Sequence, residues 1–418
     1  MGLGMTACGG GTIGFMWVLG TQYNQIAAFK IDDFTGNLTQ VLHSPFTSGG
    51  ANPVSLVVST GGRYVYVVNQ GLPQGATLPS GSESLPCGTG GGVAEFSVGG
   101  QGVLTFQQCF QVQGTTPVWA TTDSTGSFLY VLVQQAPPLP SAPAGSPAPA
   151  YGAITVFSIA SDTGRLSLIV NQQVKDPNTQ QQLTYFPVGN MPTMLTVEGS
   201  CVFTLNAAGT APNAGDQSIP PSVYPYSIGT GGQLTTATNT TISINATRPT
   251  SIRTGGSSVY ITDAGAQNTP GQILPFTVGT SPTCSLNTVT GGSVANLPTT
   301  ANPVYTLVDS TGKYLYVANQ SSTNTTVANS TVSGFNIQSN GQLQAIPDGS
   351  NNPYATGGAP VCMVEDPSNQ YLYTSNGNGT VTGKILDRNT GRLSDLSRGS
   401  LFTAVGQATC LAVSGNVD

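Results

Sequence analysis

Charge is what this sequence has least of. Its 418 residues include 11 Lys and Arg, 17 Asp and Glu and one His, a formal net charge of −6. Without a basic patch to neutralise phosphates, nucleic acid is excluded as a partner. A single histidine and no Cys-x-x-Cys or Cys/His spacing leave nothing to hold a metal, and no cofactor is expected. No run of 18 apolar residues is present, so no transmembrane segment is expected. Gly-x-Ser-x-Gly, His-Glu-x-x-His and a complete phosphate loop are all missing, and the glycine run Gly88 to Gly92 lacks the strand-helix setting of a dinucleotide site. So few charges also mean weak repulsion between copies, which is compatible with a homo-oligomer or filament.

What the chain does have is repetition. The clearest copy runs Pro303 to Val308, then Ser310-Thr311-Gly312-Lys313, then Tyr314 to Asn319, and reads as strand, tight turn, strand. Its second strand occurs seven times in all, with Trp17, Tyr66, Tyr130, Phe203, Tyr260, Tyr316 and Tyr373 at the third position. These markers lie 49 to 73 residues apart, too long for a solenoid repeat and right for a four-stranded propeller blade. A third strand follows each time. A Gly-x-Leu turn then opens a fourth at Gly36, Gly102, Gly164, Gly232, Gly341 and Gly391, with Cys284-Ser285-Leu286 in its place in the fifth unit. The tail Gln407 to Val413 matches the innermost strands, and the N-terminus supplies the rest of that blade. The expectation is an all-β, seven-bladed propeller of four-stranded antiparallel blades, spanning 13–418. Its ring closes by pairing the C-terminal strand with the N-terminal strands, which hides sheet edges. Residues 1–12 are read as a tail or the remnant of an export signal.

Met5-Thr6-Ala7-Cys8-Gly9 resembles a bacterial lipobox, with Cys8 as the lipid attachment point, although only seven residues precede it. The alternative is an ordinary N-terminal cysteine. The other six cysteines suit disulfides in an exported chain, lodged in the bacterial envelope or outside the cell. Cys362 and Cys410 hold the same position in adjacent innermost strands. Cys87 and Cys109 lie near one edge of blade 2, and Cys201 and Cys284 follow turns in neighbouring blades. Some could instead be buried thiols.

The connections between second and third strands carry the length variation, and all lie on one face, where recognition loops are expected. Among them, Pro137 to Pro149 reads as a stiff spacer or a peptide-docking segment, and Asn324 and Asn329 begin glycosylation-type sequons. At the channel mouth on this face the innermost strands begin at Asn52, Thr116, Met191, Arg248, Asn302, Ala359 and Gln407. The second strands end there at Asn69, Asn206, Asp263, Asn319 and Asn376. An amide-rich mouth with Arg248 and Asp263 could hydrogen-bond a glycan or peptide; solvated polar loop ends are the plain alternative.

The phrases Ser310 to Asn319 and Asp387-Arg388-Asn389-Thr390-Gly391-Arg392-Leu393 resemble the lactonase-like seven-bladed propellers, the group of the propeller-type 6-phosphogluconolactonases. That resemblance covers the whole chain and implies the fold. It also implies channel His, Glu and Arg side chains that open a lactone, and here the pattern breaks. The lone His43 falls on the outer strand of blade 1, blade 4 reads Asn190-Met191-Pro192-Thr193 where a Pro-Arg-His-like phrase is wanted, and Arg248-Pro249 is a partial echo. Glu198 and Glu365 end innermost strands beside the short turns. Hydrolysis needs a base and oxyanion donors. The favoured reading is therefore a non-catalytic binding or structural propeller, the alternative a sugar-lactone hydrolase.

Overall fold

The computed structural model describes all residues except 1–10, 81, 83, 147–148, 208–218, 239–240, 267–269, 290–294, 298–300, 322–329 and 416–418. Cys8, Asn324 and Asn329 lie outside the described residues. Seven antiparallel sheets follow one another around a ring. Their innermost strands are Pro53–Val58, Thr115–Thr122, Pro192–Glu198, Pro249–Gly255, Ala301–Val308, Pro360–Glu365 and Ala408–Gly415. Each touches the next and the last touches the first. Blade 1 is built from both ends of the chain, with Thr12–Gly20 pairing antiparallel to Ala408–Gly415 from Gly14↔Gly415 to Gly20↔Ala408. Among the described residues no helix is long and apolar enough to cross a membrane.

The blades are four strands deep, but among the described residues the outermost row is broken in six of them. In blade 1 the third strand, Gln25–Asp32, pairs with Leu38–Gln40 over one half and with Phe46–Thr47 over the other. Among the described residues only blade 2 keeps one unbroken outer strand, Leu104–Phe110. A break leaves backbone groups of the third strand without a ladder partner, which must be met some other way. In blade 6 the Asn352 amide does this, donating from Nδ2 to Gly334 O at 2.9 Å and accepting from Gly334 N at 3.0 Å.

Two recurrent features of the sequence meet at the blade junctions. In five of the seven blades the aromatic marker of the second strand donates to the glycine turn of the next blade. Tyr66 donates to Gly164 O (2.6 Å), Tyr316 to Gly391 O (2.7 Å), Tyr373 to Gly36 O (2.6 Å), Tyr260 to Gly341 O (3.3 Å) and Trp17 Nε1 to Gly102 O (3.2 Å). These glycines have φ between +67° and +85°, a region L-residues avoid. Most also lie flat under the ring that opens the second strand: a Cβ on Gly391 would sit 2.4 Å from Tyr314, one on Gly36 2.4 Å from Tyr371, and one on Gly164 2.4 Å from Tyr64. The glycine is required twice, by the turn and by the ring.

Between blades 4 and 5 this device is replaced. The marker is Phe203, which has no hydroxyl to donate, and the turn residue is Cys284, at φ +44°. Cys201 stands where the other blades mostly place a ring, and it is disulfide-bonded to Cys284 with Cα atoms 5.6 Å apart. All three pairings read from the sequence are present: Cys87–Cys109 (Cα–Cα 5.5 Å) anchors the long blade 2 connection, and Cys362–Cys410 (5.0 Å) ties blade 7 to the closing blade.

Candidate ligand site in the central channel

The long-loop mouth is built by a backbone feature common to most blades. Asn52, Met191, Ala359 and Gln407, each just before an innermost strand, and Thr116, at the start of one, all have φ between +49° and +56°. A register irregularity follows at once, for example between Pro53 and Ser55 and between Pro192 and Met194. This bulge turns the chain from the loop face into the channel. The carbonyls at this position are taken by the chain leaving the second strand: Gln70 N donates to Asn52 O, Ala207 N to Met191 O, Ala264 N to Arg248 O and Gly377 N to Ala359 O.

The amides expected around the mouth brace these loops from beneath. Asn69, Asn206, Asn319 and Asn376 are buried, as is Asp263. Asp263 accepts from Thr247 N (3.1 Å), Arg248 N (2.6 Å), Gly265 N (3.1 Å) and Gln272 Nε2 (2.8 Å). Asn69 donates to Ser48 O, Asn206 to Ser222 Oγ, and Asn319 to Val317 O and Ser333 Oγ. Asn52 donates to Gly71 O. At the surface Arg248 Nη2 donates to Asn302 Oδ1 at 2.9 Å, so the mouth's cation spans blades 5 and 6. His43 is exposed at the outer rim of blade 1.

Deeper in, the channel is closed by rings. Counting from the proline that opens most innermost strands, the second residue onward forms a layer of Ser55, Trp119, Met194, Ser251, Tyr305, Cys362 and Cys410. Trp119 and Tyr305 come from blades 3 and 6, and their ring centroids are 6.1 Å apart. Two residues further along lies the layer Val57, Thr121, Thr196, Arg253, Leu307, Val364 and Ala412. The Arg253 guanidinium sits 4.7 Å from the Trp119 ring centre and 4.5 Å from that of Tyr305, within the range of a cation–π contact. Below this stack, toward the short turns, opens a cavity of about 340 Å³. It is lined by Arg253, Thr121, Thr196, Thr254, Val57, Val197, Val364 and Leu411 among others. Of these Val57, Thr121, Val197, Arg253, Thr254 and Val364 are partly exposed, so solvent reaches it from the short-turn face.

Carboxyl groups ring that face, and of these Glu198 lies beside the Thr254 hydroxyl of the cavity wall. Glu365 accepts from Ser310 N (2.6 Å) and Ser310 Oγ (3.2 Å) of the neighbouring turn. Burial pushes its carboxyl up to about 7 despite those donors. Burial likewise raises Glu198. Asp309 and Asp366 cap their own turns, accepting from the backbone of Lys313 and Tyr314 and of Gln370 and Tyr371. No described channel residue is both a titratable base and free to face the cavity.

Solved structures with this architecture include the periplasmic gluconolactonase of Pseudomonas aeruginosa, 15% identical, with a TM-score of 0.64 over 96% of this chain and 99% of that one. A proposed 6-phosphogluconolactonase from Bacteroides fragilis is 17% identical, with a TM-score of 0.64 over 96% and 98%. A functionally unknown protein from Desulfotomaculum acetoxidans is 13% identical, with a TM-score of 0.59 over 96% and 99%. This chain has the fold of the lactonase-like propellers. No protein-family profile and no curated protein matches its sequence. At such identities the likeness carries the fold alone, and the activity of these propellers must be argued from the channel.

Sequence reading missed Arg253 and Trp119. The signal was available: aligned on the innermost strands, Arg253 is the one charged residue in its layer of seven, against Val, Thr, Leu and Ala elsewhere.

Proposed function

We propose that this protein is an exported, non-catalytic binding propeller that holds its ligand in the central channel. The observation that carries this reading is an uncompensated channel cation with no titratable base among the described residues that line its cavity. Lactone hydrolysis requires a group to activate water within hydrogen-bond reach of the bound carbonyl. The cavity offers threonines and apolar residues instead, and Glu365, the carboxyl whose affinity for protons would suit a base, is committed to the Ser310 turn. Export is supported by three disulfides, which persist in oxidising compartments. The resemblance of Met5 to Gly9 to a lipobox extends this proposal to anchoring in the bacterial envelope through Cys8. Incubation with glucono- and galactonolactones should give hydrolysis no faster than buffer, with Arg248→Ala making no difference. Turnover that Arg248→Ala abolishes would replace this reading with the hydrolase.

A further inference from the structure

Of the five N–H donors of a guanidinium, those of Arg253 Nη1 are used: Nη1 donates to Ile252 O at 3.1 Å and lies 3.2 Å from Met194 Sδ. The remaining donors, on Nε and Nη2, meet no acceptor among the described residues, and no carboxylate there lies within ion-pairing distance. Nε and Nη2 form the side edge of the guanidinium, the edge that takes a carboxylate through two parallel hydrogen bonds. Trp119 and Tyr305 both pack against the guanidinium and restrict its movement, so less freedom is lost when it is engaged.

We infer that Arg253 anchors a binding site for a small hydroxylated carboxylate, a sugar acid or its like, in the cavity on the short-turn side of the channel. This deepens the binding reading above and rests on it only for the ligand being held and not turned over. Three features select the class. The free edge of the guanidinium matches the planar, two-oxygen geometry of a carboxylate. Thr121, Thr196 and Thr254 place hydroxyls among Val57, Val197 and Val364, a lining that suits a carbon chain bearing hydroxyl groups. The carboxylates of Asp309, Asp366 and Glu365 border the same face, and they oppose a phosphate dianion more than a carboxylate monoanion. The site is separate from the long-loop mouth, because the Trp119–Tyr305 contact lies between them.

Trp119 is one of two tryptophans and the other, Trp17, is fully buried in blade 1, so the site carries its own reporter. Emission should be titrated with D-gluconate, D-galacturonate and acetate, with sorbitol and inorganic phosphate as controls. A saturable change with gluconate or galacturonate is expected, weaker with acetate, absent with sorbitol, and lost in Trp119→Phe. Arg253→Lys keeps the charge but loses the fork and should weaken binding at least about tenfold. Thr121→Val leaves the stack intact and should weaken gluconate more than acetate, which serves if Arg253→Lys unfolds by near-UV circular dichroism. The inference is overturned if none of the three carboxylates gives saturation, if phosphate or sorbitol binds as well as gluconate, or if neither Arg253→Lys nor Thr121→Val changes affinity. Gluconolactone hydrolysis followed on the same samples separates the two ideas: turnover would remove the non-catalytic reading and leave the Arg253 result standing.

Discussion

The junction between blades 4 and 5 and the junction between blades 6 and 7 solve the same problem by different chemistry. At the 6/7 junction Tyr314 lies on Gly391 and Tyr316 donates to its carbonyl, with no covalent link. At the 4/5 junction neither ring hydroxyl nor glycine is present, and Cys201–Cys284 stands in their place. The contrast indicates that the repeated phrase of this chain is an inter-blade latch, and that the junction where both the ring hydroxyl and the glycine are missing carries a covalent bond instead. The first test is the one with the largest expected effect. Replacing both cysteines by serine in Cys201→Ser/Cys284→Ser removes a bond across 83 residues and should cost about 4 kcal/mol by loop entropy, read from the urea midpoint. Cys201→Tyr with Phe203→Tyr and Cys284→Gly, which writes the latch back, should recover a substantial part of that loss.

The reciprocal change breaks the latch where no disulfide backs it. Gly391→Ala would strain a backbone at φ +69° and place a Cβ 2.4 Å from Tyr314. The two penalties together should lower stability by about 3 kcal/mol. Alanine at Gly61, also at positive φ but with nothing near its Cβ, should cost only about 1 kcal/mol. A result in which both glycines behave alike would mean that ring packing adds nothing to the turn.

The junction between blades 2 and 3 adds a complication the others lack. Glu95 lies buried in the third strand of blade 2, in register with Tyr66, at a position held by Ala28, Val156, Pro225, Pro275 and Gly334 in other blades. Burial raises its carboxyl to about 7, with Arg165 pulling the other way. Below pH 4.5 folded and unfolded chains both keep the proton and there is no penalty. Between 4.5 and 7 the unfolded chain releases it first, so stability falls as pH rises, and above 7 the penalty is complete. Glu95→Gln should therefore stabilise the protein at pH 8 by about 2 kcal/mol and leave it nearly unchanged at pH 4. A shallower slope should persist in the variant because Glu365 titrates in the same direction.

How much of this was legible beforehand follows the physics of repetition. The fold was readable because each blade restates the same packing demand, so Tyr66, Tyr316 and Tyr373 announce one another across the chain. The Cys201–Cys284 pair was readable as two cysteines in neighbouring blades, yet its reason was not, because that lies in what Phe203 and Cys284 displace. At the mouth, sequence position located the residues and could not give their burial: Asn69 and Asp263 end strands at the loop face, but their side chains turn inward to backbone groups of the neighbouring loops. Arg253 escaped notice for a related cause. Its partners Trp119 and Tyr305 come from three different blades with it, and only ring closure brings them together.

The smallest effects discriminate best between the latch as hydrogen bond and the latch as packing. Tyr316→Phe deletes a 2.7 Å bond to Gly391 O and strands a buried carbonyl, which should cost about 1–2 kcal/mol. Tyr130 occupies the same position in blade 3, is equally buried, and its hydroxyl meets no acceptor among the described residues. There the hydroxyl is already desolvated without return, so Tyr130→Phe should cost nothing or stabilise by up to about 1 kcal/mol. Both variants keep the ring, its area and the glycine beneath the neighbouring residue. If the two lose equal stability, the hydrogen bond is incidental and the ring alone joins the blades; opposite signs would assign the difference to the carbonyl that only Tyr316 reaches.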